Sequence, residues 1–274
     1  MKKEYVELGK CIFCGKDKTE TTFNKKPHIL PKSMDGEIIG FDICDQCNSY
    51  FGSSDELIPT PPKLAIELCV KEVMNIARYF YYKGQNKTWL KSIFFKYEES
   101  KGVLKLKNNQ WEKKEFQLLF MRQFKRGIFE LFLQAYHFET KQGLDSRFDN
   151  IRNFSRYNQG DARLFYVENR GAYLISEVKT PPKFYMTKKC LDDINQFGFY
   201  SLYLNGHHFY LEVIPQSDEN RDKFLNSECE KLSIGGPLLK DIIEPMYVNE
   251  LDFTLRNLYG DSISLETEKS IIPD

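Results

Sequence analysis

The chain has 274 residues and a formal net charge of zero, with 28% charged and 41% hydrophobic side chains. No run of about eighteen apolar residues occurs, so the composition predicts a water-soluble protein of about two domains and excludes a membrane-spanning helix. The N-terminus is charged and lacks the apolar segment of a signal peptide, and we therefore expect a cytoplasmic protein.

The charge is unevenly distributed along the chain. Residues 61–130 contain 15 Lys and Arg against 7 Asp and Glu, whereas the segments on either side carry an acidic excess. A basic segment of this kind fits a polyanionic partner such as nucleic acid. A solvated lysine-rich surface gives the same pattern, so charge alone does not decide between the two.

Four of the seven cysteines form two Cys-x-x-Cys pairs, Cys11/Cys14 and Cys44/Cys47. Thiolates are soft ligands and four of them complete a tetrahedral site, so this spacing predicts a closed structural zinc rather than a catalytic metal. An odd cysteine count in a cytoplasmic chain argues against a disulfide framework. The alternative, a reducible dithiol, requires a redox fold that the sequence does not indicate.

The segment between and after the cysteine pairs predicts a strand, a loop, a second strand and a helix. The strands are expected at residues 25–30 and 37–43, and the helix at 48–57. Elements this short bury too little surface to fold alone, so the zinc would supply the missing stability. We refer to residues 1–58 as the N-terminal module.

A proline-rich link at residues 58–62 separates this module from the rest of the chain. The remainder, 63–274, is predicted to be one larger domain. Its expected elements are helices at 64–82, 115–137 and 145–157 and strands within 163–185 and 198–214, the last with an Asn-Gly turn. The predicted fold class is α+β, a small zinc-stapled module followed by a larger mixed α/β domain.

Three features occur together, and in order, within fifty residues. They are the four-cysteine frame, the run His28-Ile-Leu-Pro-Lys32, and Asn48 directly after Cys47. This set resembles the HNH, or ββα-metal, endonuclease family in its zinc-stabilised branch. The resemblance covers about residues 8–58 and implies a ββα-metal fold for the N-terminal module. It also implies metal-dependent hydrolysis of DNA phosphodiester bonds.

The resemblance implies a role for two residues. His28 would be the general base that deprotonates the attacking water, a task that suits an imidazole because it exchanges its proton near neutral pH. Asn48 would be an oxygen ligand to a divalent cation, Mg²⁺ or Mn²⁺. That cation would stabilise the charge that develops on the phosphate and on the leaving oxygen.

The sequence departs from the family at Pro27. The residue before the base is often a second metal ligand, and proline offers no ligand atom. Either the metal is then held by fewer protein ligands, or a carboxylate from elsewhere substitutes. Asp55, seven residues after Asn48, lies on nearly the same helix face, two turns away. Asp42, on the strand opposite His28, would instead orient the imidazole. Ordinary surface acids and a degenerate, non-cleaving site are the alternatives.

Basic residues are candidates for nucleic-acid contacts at two places. Two lysines flank His28 and three arginines recur at helical spacing further along; they are Lys26, Lys32, Arg147, Arg152 and Arg156. The arginines lie in residues 126–157, which resemble a segment that follows the module in many bacterial HNH proteins. The alternative for them is a salt-bridged surface helix that uses Asp145 and Asp149.

The sequence as a whole predicts a metal-dependent HNH endonuclease acting on DNA, in keeping with bacterial defence against foreign DNA. Two other classes stay open. The chain would otherwise be a non-catalytic, zinc-containing module that binds nucleic acid, or a subunit of a multi-protein defence system that a partner activates. A homodimer is expected if both DNA strands are cut, because one such site nicks one strand.

Overall fold

The computed structural model describes residues 3–53, 64–81, 92–98, 100–101, 103–107, 112–169, 184–205, 207–233, 240–251 and 264–267. Its helices and strands are, in chain order, α1 (Asp45–Gly52), α2 (Ile66–Tyr81), β1 (Phe95–Glu98), β2 (Val103–Leu106), α3 (Lys114–Thr140), α4 (Asp149–Tyr157), β3 (Leu164–Asn169), α5 (Lys188–Phe197), β4 (Phe199–Leu204), β5 (His207–Glu212), α6 (Asp218–Ser233), β6 (Lys240–Ile243) and β7 (Ser264–Thr267). Within these residues, no helix is long and apolar enough to cross a membrane.

The longest element, α3, lies at the centre of the core. It is buried on all sides along most of its length, with aromatic residues such as Phe120, Phe124 and Phe132 fully enclosed. A helix covered all round needs neighbours all round, and both α2 and α4 pack against it. The approach of α2 is close at Gly127, where an added Cβ would lie 2.3 Å from a Val70 methyl carbon.

Two sheets occur in the described part of the chain. The larger is antiparallel, with strand order β4-β5-β3-β6, and the smaller has the order β1-β2-β7 with β2 and β7 parallel. Strands β4 and β5 form the predicted hairpin, in which Leu204 pairs with His207 and Asn205 has a φ of 48°. The mixture of helices and largely antiparallel sheet confirms the predicted α+β class.

The hydrophobic core runs from the N-terminal module into the rest of the chain. Ile12, Phe13 and Phe51 of the module belong to the same cluster of buried residues as the phenylalanines of α3. A buried polar contact reinforces this junction, because the Arg126 guanidinium on α3 donates to the Tyr50 hydroxyl at 2.6 Å. The predicted division between two domains therefore stays a prediction, and the link at 58–62 lies outside the described residues.

Both predicted strands of the N-terminal module are much shorter in the structure. The hairpin contains a single β-bridge, between His28 and Ile39, in place of two strands at 25–30 and 37–43. Pro27 and Pro31 lack the N–H that a longer ladder requires, which limits pairing on this strand.

Helix α1 begins three residues earlier than predicted. Its N-cap is Cys44, whose sulfur accepts the Cys47 N–H at 3.4 Å, so the metal-binding turn itself starts the helix. The helix ends at Gly52, and residues 54–57 of the predicted helix lie outside the described residues.

Candidate functional site

The four cysteines of the two Cys-x-x-Cys pairs meet in one cluster. The sulfur atoms of Cys11, Cys14, Cys44 and Cys47 all lie within 4.8 Å of one another. Zinc–sulfur bonds of about 2.3 Å in a tetrahedron place the sulfurs about 3.8 Å apart. The Cys14–Cys44 sulfur distance is 3.7 Å, so this cysteine cluster fits a tetrahedral zinc. Four sulfurs leave no open position, which suits a structural site.

N–H donors surround the cysteine cluster. The Cys44 N–H donates to the Cys11 sulfur at 3.4 Å, and Arg156 Nε donates to the Cys47 sulfur at 3.2 Å. Such donors offset part of the negative charge of a thiolate site. Hydrogen bonds among the sulfurs, chiefly with Cys11, lower the pKa of Cys14 to about 7 and lower the pKa of Cys44 as well. Hydrogen bonds of the same set raise the pKa of Cys11, chiefly through Cys14, and the pKa of Cys47, chiefly through Cys11.

A second group of side chains lines an open cleft beside α1, with a volume of about 480 Å³. The hairpin, α1 and α2 all contribute to it. The lining residues that bear on its chemistry are Lys26, His28, Lys32, Asn48, Gly52 and Glu67. The structure therefore brings the two residues predicted to act together, His28 and Asn48, to one cleft.

The hairpin turns His28 toward this cleft. Its neighbours Pro27 and Ile29 are buried while His28 is half-buried, the alternation expected of extended backbone. The Ile29 N–H donates to the Ile38 carbonyl at 3.1 Å, and the Pro27 carbonyl accepts the Gly40 N–H at 2.7 Å. These two hydrogen bonds fix the backbone on both sides of His28.

Helix α1 brings Asn48 to the same cleft. At the start of the helix, the Asp45 carboxylate accepts the Thr22 hydroxyl at 2.6 Å and the Lys25 N–H at 2.7 Å. The helix and the chain that leads to His28 are thereby held together. In the part of the chain that the structure describes, no side-chain hydrogen bond engages His28 or Asn48, and both line the cleft.

The arrangement agrees with one known family. Residues 11–56 match the HNH endonuclease family. This HNH module contains the whole cysteine cluster together with His28 and Asn48, and the match supports a nuclease-type hydrolase. No curated protein and no solved structure matches the chain.

Asp42 of the HNH module forms its hydrogen bonds with residues 7–9 and with His137 rather than with His28. It is fully buried, and its carboxylate accepts the backbone N–H groups of residues 7–9 at 2.8–3.2 Å. His137 Nε2 donates at 3.2 Å, because His137 Nδ1 already accepts the Gly143 N–H. Four donors fill the acceptor sites of a carboxylate. The prediction that Asp42 orients His28 is therefore wrong.

Asp42 instead ties the start of the chain to α3. Burial opposes ionisation of its carboxyl, but the hydrogen bonds from His137 and from residues 7–9 together outweigh burial and lower its pKa. The residue also adopts a left-handed φ of 58°, a conformation that Asp and Asn tolerate better than most side chains.

The arginines predicted as a phosphate-facing stripe contact the protein instead. Arg152 Nε donates to the Ile12 carbonyl at 2.7 Å, and Arg147 Nε pairs with the Asp145 carboxylate at 2.8 Å. The salt-bridged alternative therefore describes Arg147 with Asp145 and Arg152 with Asp149, and Arg152 also joins α4 to the first cysteine pair. The phosphate-facing stripe is not formed, because Arg152 and Arg156 both donate to the N-terminal module.

Arg156 is the third of these arginines and contacts the cysteine cluster. Besides its bond to the Cys47 sulfur, its guanidinium carbon lies 4.0 Å from the centroid of the Tyr50 ring. Stacking on Tyr50 holds the planar guanidinium in the orientation that the sulfur contact needs. No motif in the sequence linked Arg156 to Cys47, which lies 109 residues earlier in the chain.

The lysines predicted to contact nucleic acid both line the cleft and are exposed. Lys26 and Lys32 flank His28 from opposite sides in sequence. Their contact with nucleic acid stays a prediction. Asp55, predicted as a substitute metal ligand, lies outside the described residues, as does its neighbour Glu56.

Two acidic residues beside the cleft were missed by the sequence interpretation. Glu67, in the first turn of α2, lines the cleft, and burial raises its pKa. Glu130 on α3 is 2% exposed, and burial together with the charge of Glu67 raises its pKa well above the usual value. Acidic residues are common in the first turn of a helix because they interact favourably with the helix dipole. The position of Glu67 therefore did not mark it as a functional residue.

Proposed function

We propose that this chain is a metal-dependent endonuclease that hydrolyses DNA phosphodiester bonds in the cleft of the HNH module. The observation that carries the proposal is the convergence of His28 and Asn48 on one open cleft, in a module that matches the HNH endonuclease family. The cysteine cluster takes no part in the chemistry, because four thiolates close its coordination.

His28 acts as the general base in this proposal. Its ring removes a proton from a water molecule, whose oxygen forms a bond to phosphorus while the bond to the leaving 3′ oxygen breaks. The proton stays on His28, and solvent protonates the leaving oxygen. The hydrogen bonds that fix the backbone beside His28 would hold the ring in position for this transfer.

Asn48 would hold a divalent cation through its side-chain oxygen, and such a hard ligand suits Mg²⁺ or Mn²⁺. When bound, the cation stabilises the negative charge that develops on the phosphate and the leaving group. Lys26 and Lys32, exposed at the cleft, attract the DNA backbone. Binding should therefore weaken as the salt concentration rises.

The test is nicking of supercoiled plasmid with Mg²⁺ or Mn²⁺ by the full chain. His28→Ala and Asn48→Ala are expected to keep their zinc and fold while losing about 10²–10⁴-fold in rate. Asn24→Ala is the matched control, because Asn24 is an exposed asparagine of the same module. Nicking by a zinc-loaded His28→Ala variant at the wild-type rate would contradict the proposal.

A second candidate function is a zinc-containing module that binds nucleic acid without cutting it. Pro27 favours this candidate, because it is buried and offers no ligand atom where the resemblance leads us to expect one. Salt-dependent DNA binding by wild type, without nicking under any metal condition, would support this candidate over the nuclease.

The biological setting of the proposal rests on the resemblance alone. We propose a role against foreign DNA, either by the chain itself, as a homodimer, or as a subunit that a partner activates. Cells that express wild type should restrict phage plating while cells that express His28→Ala should not. Nicking that appears only with co-purified proteins would identify the partner-activated form.

A further inference from the structure

Glu67 lines the cleft close to Asn48, the residue proposed to bind the divalent cation. Residues 48 and 52 share one face of α1, because they are one helical turn apart. A Cβ added at Gly52 would lie 3.5 Å from a Glu67 carboxylate oxygen. The Glu67 carboxylate therefore lies against the face of α1 that carries Asn48. Both side chains line the cleft with His28.

Glu67 lies partly buried at the cleft. Within the described ranges no Lys or Arg forms an ion pair with it, although Lys26 and Lys32 line the same cleft. Burial of a carboxylate is costly unless a positive charge or strong donors accompany it. A cation in the cleft would supply that charge.

A second acidic side chain, Glu130, lies close enough to Glu67 to interact with its charge. Glu130 is almost fully buried, and its Oε2 has no hydrogen-bond partner among the described residues, while Gln134 donates to its Oε1. Gln134 in turn lies under the hairpin, 3.6 Å from where a Cβ on Gly40 would be. A row of acidic and amide groups thus runs from Glu67 to the hairpin that carries His28.

We propose that Glu67 is a ligand of the divalent cation in the cleft and takes the place of the ligand that Pro27 cannot provide. This inference rests on the nuclease function proposed above. Asn48 and Glu67 supply oxygen ligands from two different helices, and the hard cations Mg²⁺ and Mn²⁺ accept such a set. The HNH module then depends on α2, outside the matched residues, for a complete site.

The experiment measures Mn²⁺ binding by the full, zinc-loaded chain in the absence of DNA, from the electron paramagnetic resonance signal of free Mn²⁺. Wild type, Asn48→Ala, Glu67→Gln and Glu37→Gln are compared. Glu37→Gln is the matched control, because it removes an exposed carboxylate of the same module that does not line the cleft. Zinc content and thermal melting show whether each variant is folded.

We expect wild type and Glu37→Gln to bind one Mn²⁺ alike. Glu67→Gln should weaken binding by about tenfold or more, the lower end of the loss seen for partners of metal sites. Equal Mn²⁺ affinity in folded Glu67→Gln and wild type would overturn the inference. Failure of wild type to bind Mn²⁺ at all would overturn it as well.

Plasmid nicking by the same proteins separates this inference from the nuclease proposal. Glu67-dependent Mn²⁺ binding without nicking by any protein would leave the inference standing and remove the proposed function. If wild type and Glu67→Gln both nick plasmid while His28→Ala does not, the nuclease proposal stands and the inference about Glu67 is removed. If Glu67→Gln is found to be unfolded, Glu67→Asp is measured in its place, because aspartate keeps the charge on a shorter side chain.

Discussion

The cysteine cluster and the cleft lie in the same short module and are built in opposite ways. The cluster draws all four ligands from the HNH module, closes its coordination and is largely buried. The cleft is open, offers oxygen and nitrogen ligands, and in our proposal takes one of them from α2. One site is complete for stability, while the other keeps room for a substrate.

The larger part of the chain supports the cysteine cluster and the backbone next to it. Arg156 of α4 donates to the cysteine cluster, and Arg152 holds the neighbouring backbone. His137 of α3 anchors Asp42, next to the second cysteine pair. The HNH module is therefore set against α3 and α4 by polar contacts as well as by the shared core.

The comparison predicts first that loss of one cysteine ligand collapses the whole module. Zinc binding contributes on the order of 10 kcal/mol in small zinc domains, so Cys47→Ala should lose zinc and also nicking. Zinc content and circular dichroism measure the effect. Cys190→Ser is the control, because Cys190 lies on α5, away from the cluster. A Cys47→Ala variant with wild-type stability would show that the cluster is not structural.

Asp42→Asn tests the junction with α3 and is expected to cost about 2–3 kcal/mol of unfolding free energy at pH 7. Asparagine tolerates the left-handed backbone, but its amide N–H₂ would face the N–H donors that the Asp42 carboxylate accepts, so some of these hydrogen bonds are lost. Urea unfolding of both proteins measures the difference. If the two unfold alike at neutral pH, the buried contacts of Asp42 contribute little.

The same pair of proteins predicts a pH dependence. The folded pKa of Asp42 lies below its unfolded value of about 3.9, so its stabilising contribution is present above that pH and is lost as pH falls through the folded pKa. The difference between wild type and Asp42→Asn should therefore shrink in acid. Both proteins release zinc in acid, so the difference between them is the quantity to follow.

Arg156→Ala should have the smallest effect, a loss of about 10–100-fold in zinc affinity with the fold retained. The reason is that a donor to a metal-binding sulfur tunes the site without being a ligand. Competition with a zinc chelator measures the affinity. Arg147→Ala is the matched control, because Arg147 pairs with Asp145 on the surface. Equal zinc retention by both variants would contradict a role for Arg156 at the cluster.

Local sequence patterns were enough to predict several parts of the structure. Paired cysteines at short spacing predict the cluster, because ligands on tight turns must meet at one ion. Helices α2 and α3 followed from their apolar periodicity, and the β4–β5 hairpin from its Asn-Gly turn. His28 and Asn48 were found because they lie within one compact motif.

Contacts between distant segments could not be read from these patterns. Arg156 contacts Cys47 from 109 residues further along the chain, and His137 contacts Asp42 from 95 residues further along. Charged residues on helices more often face solvent, so neither contact was expected. Asp42 misled the prediction because strand alternation was assumed where the backbone turns to a positive φ. The arginine stripe failed for a related reason, since helical spacing does not show which face is buried.

The most direct test of the central claim, that His28 is the base of a nuclease site, is chemical rescue. The cleft is open and about 480 Å³ in volume, so free imidazole can enter the space that His28→Gly leaves. Plasmid nicking by zinc-loaded His28→Gly should be absent in buffer and should rise with imidazole concentration, while Asn48→Ala should not respond. Nicking by His28→Gly at the wild-type rate without imidazole would contradict the account.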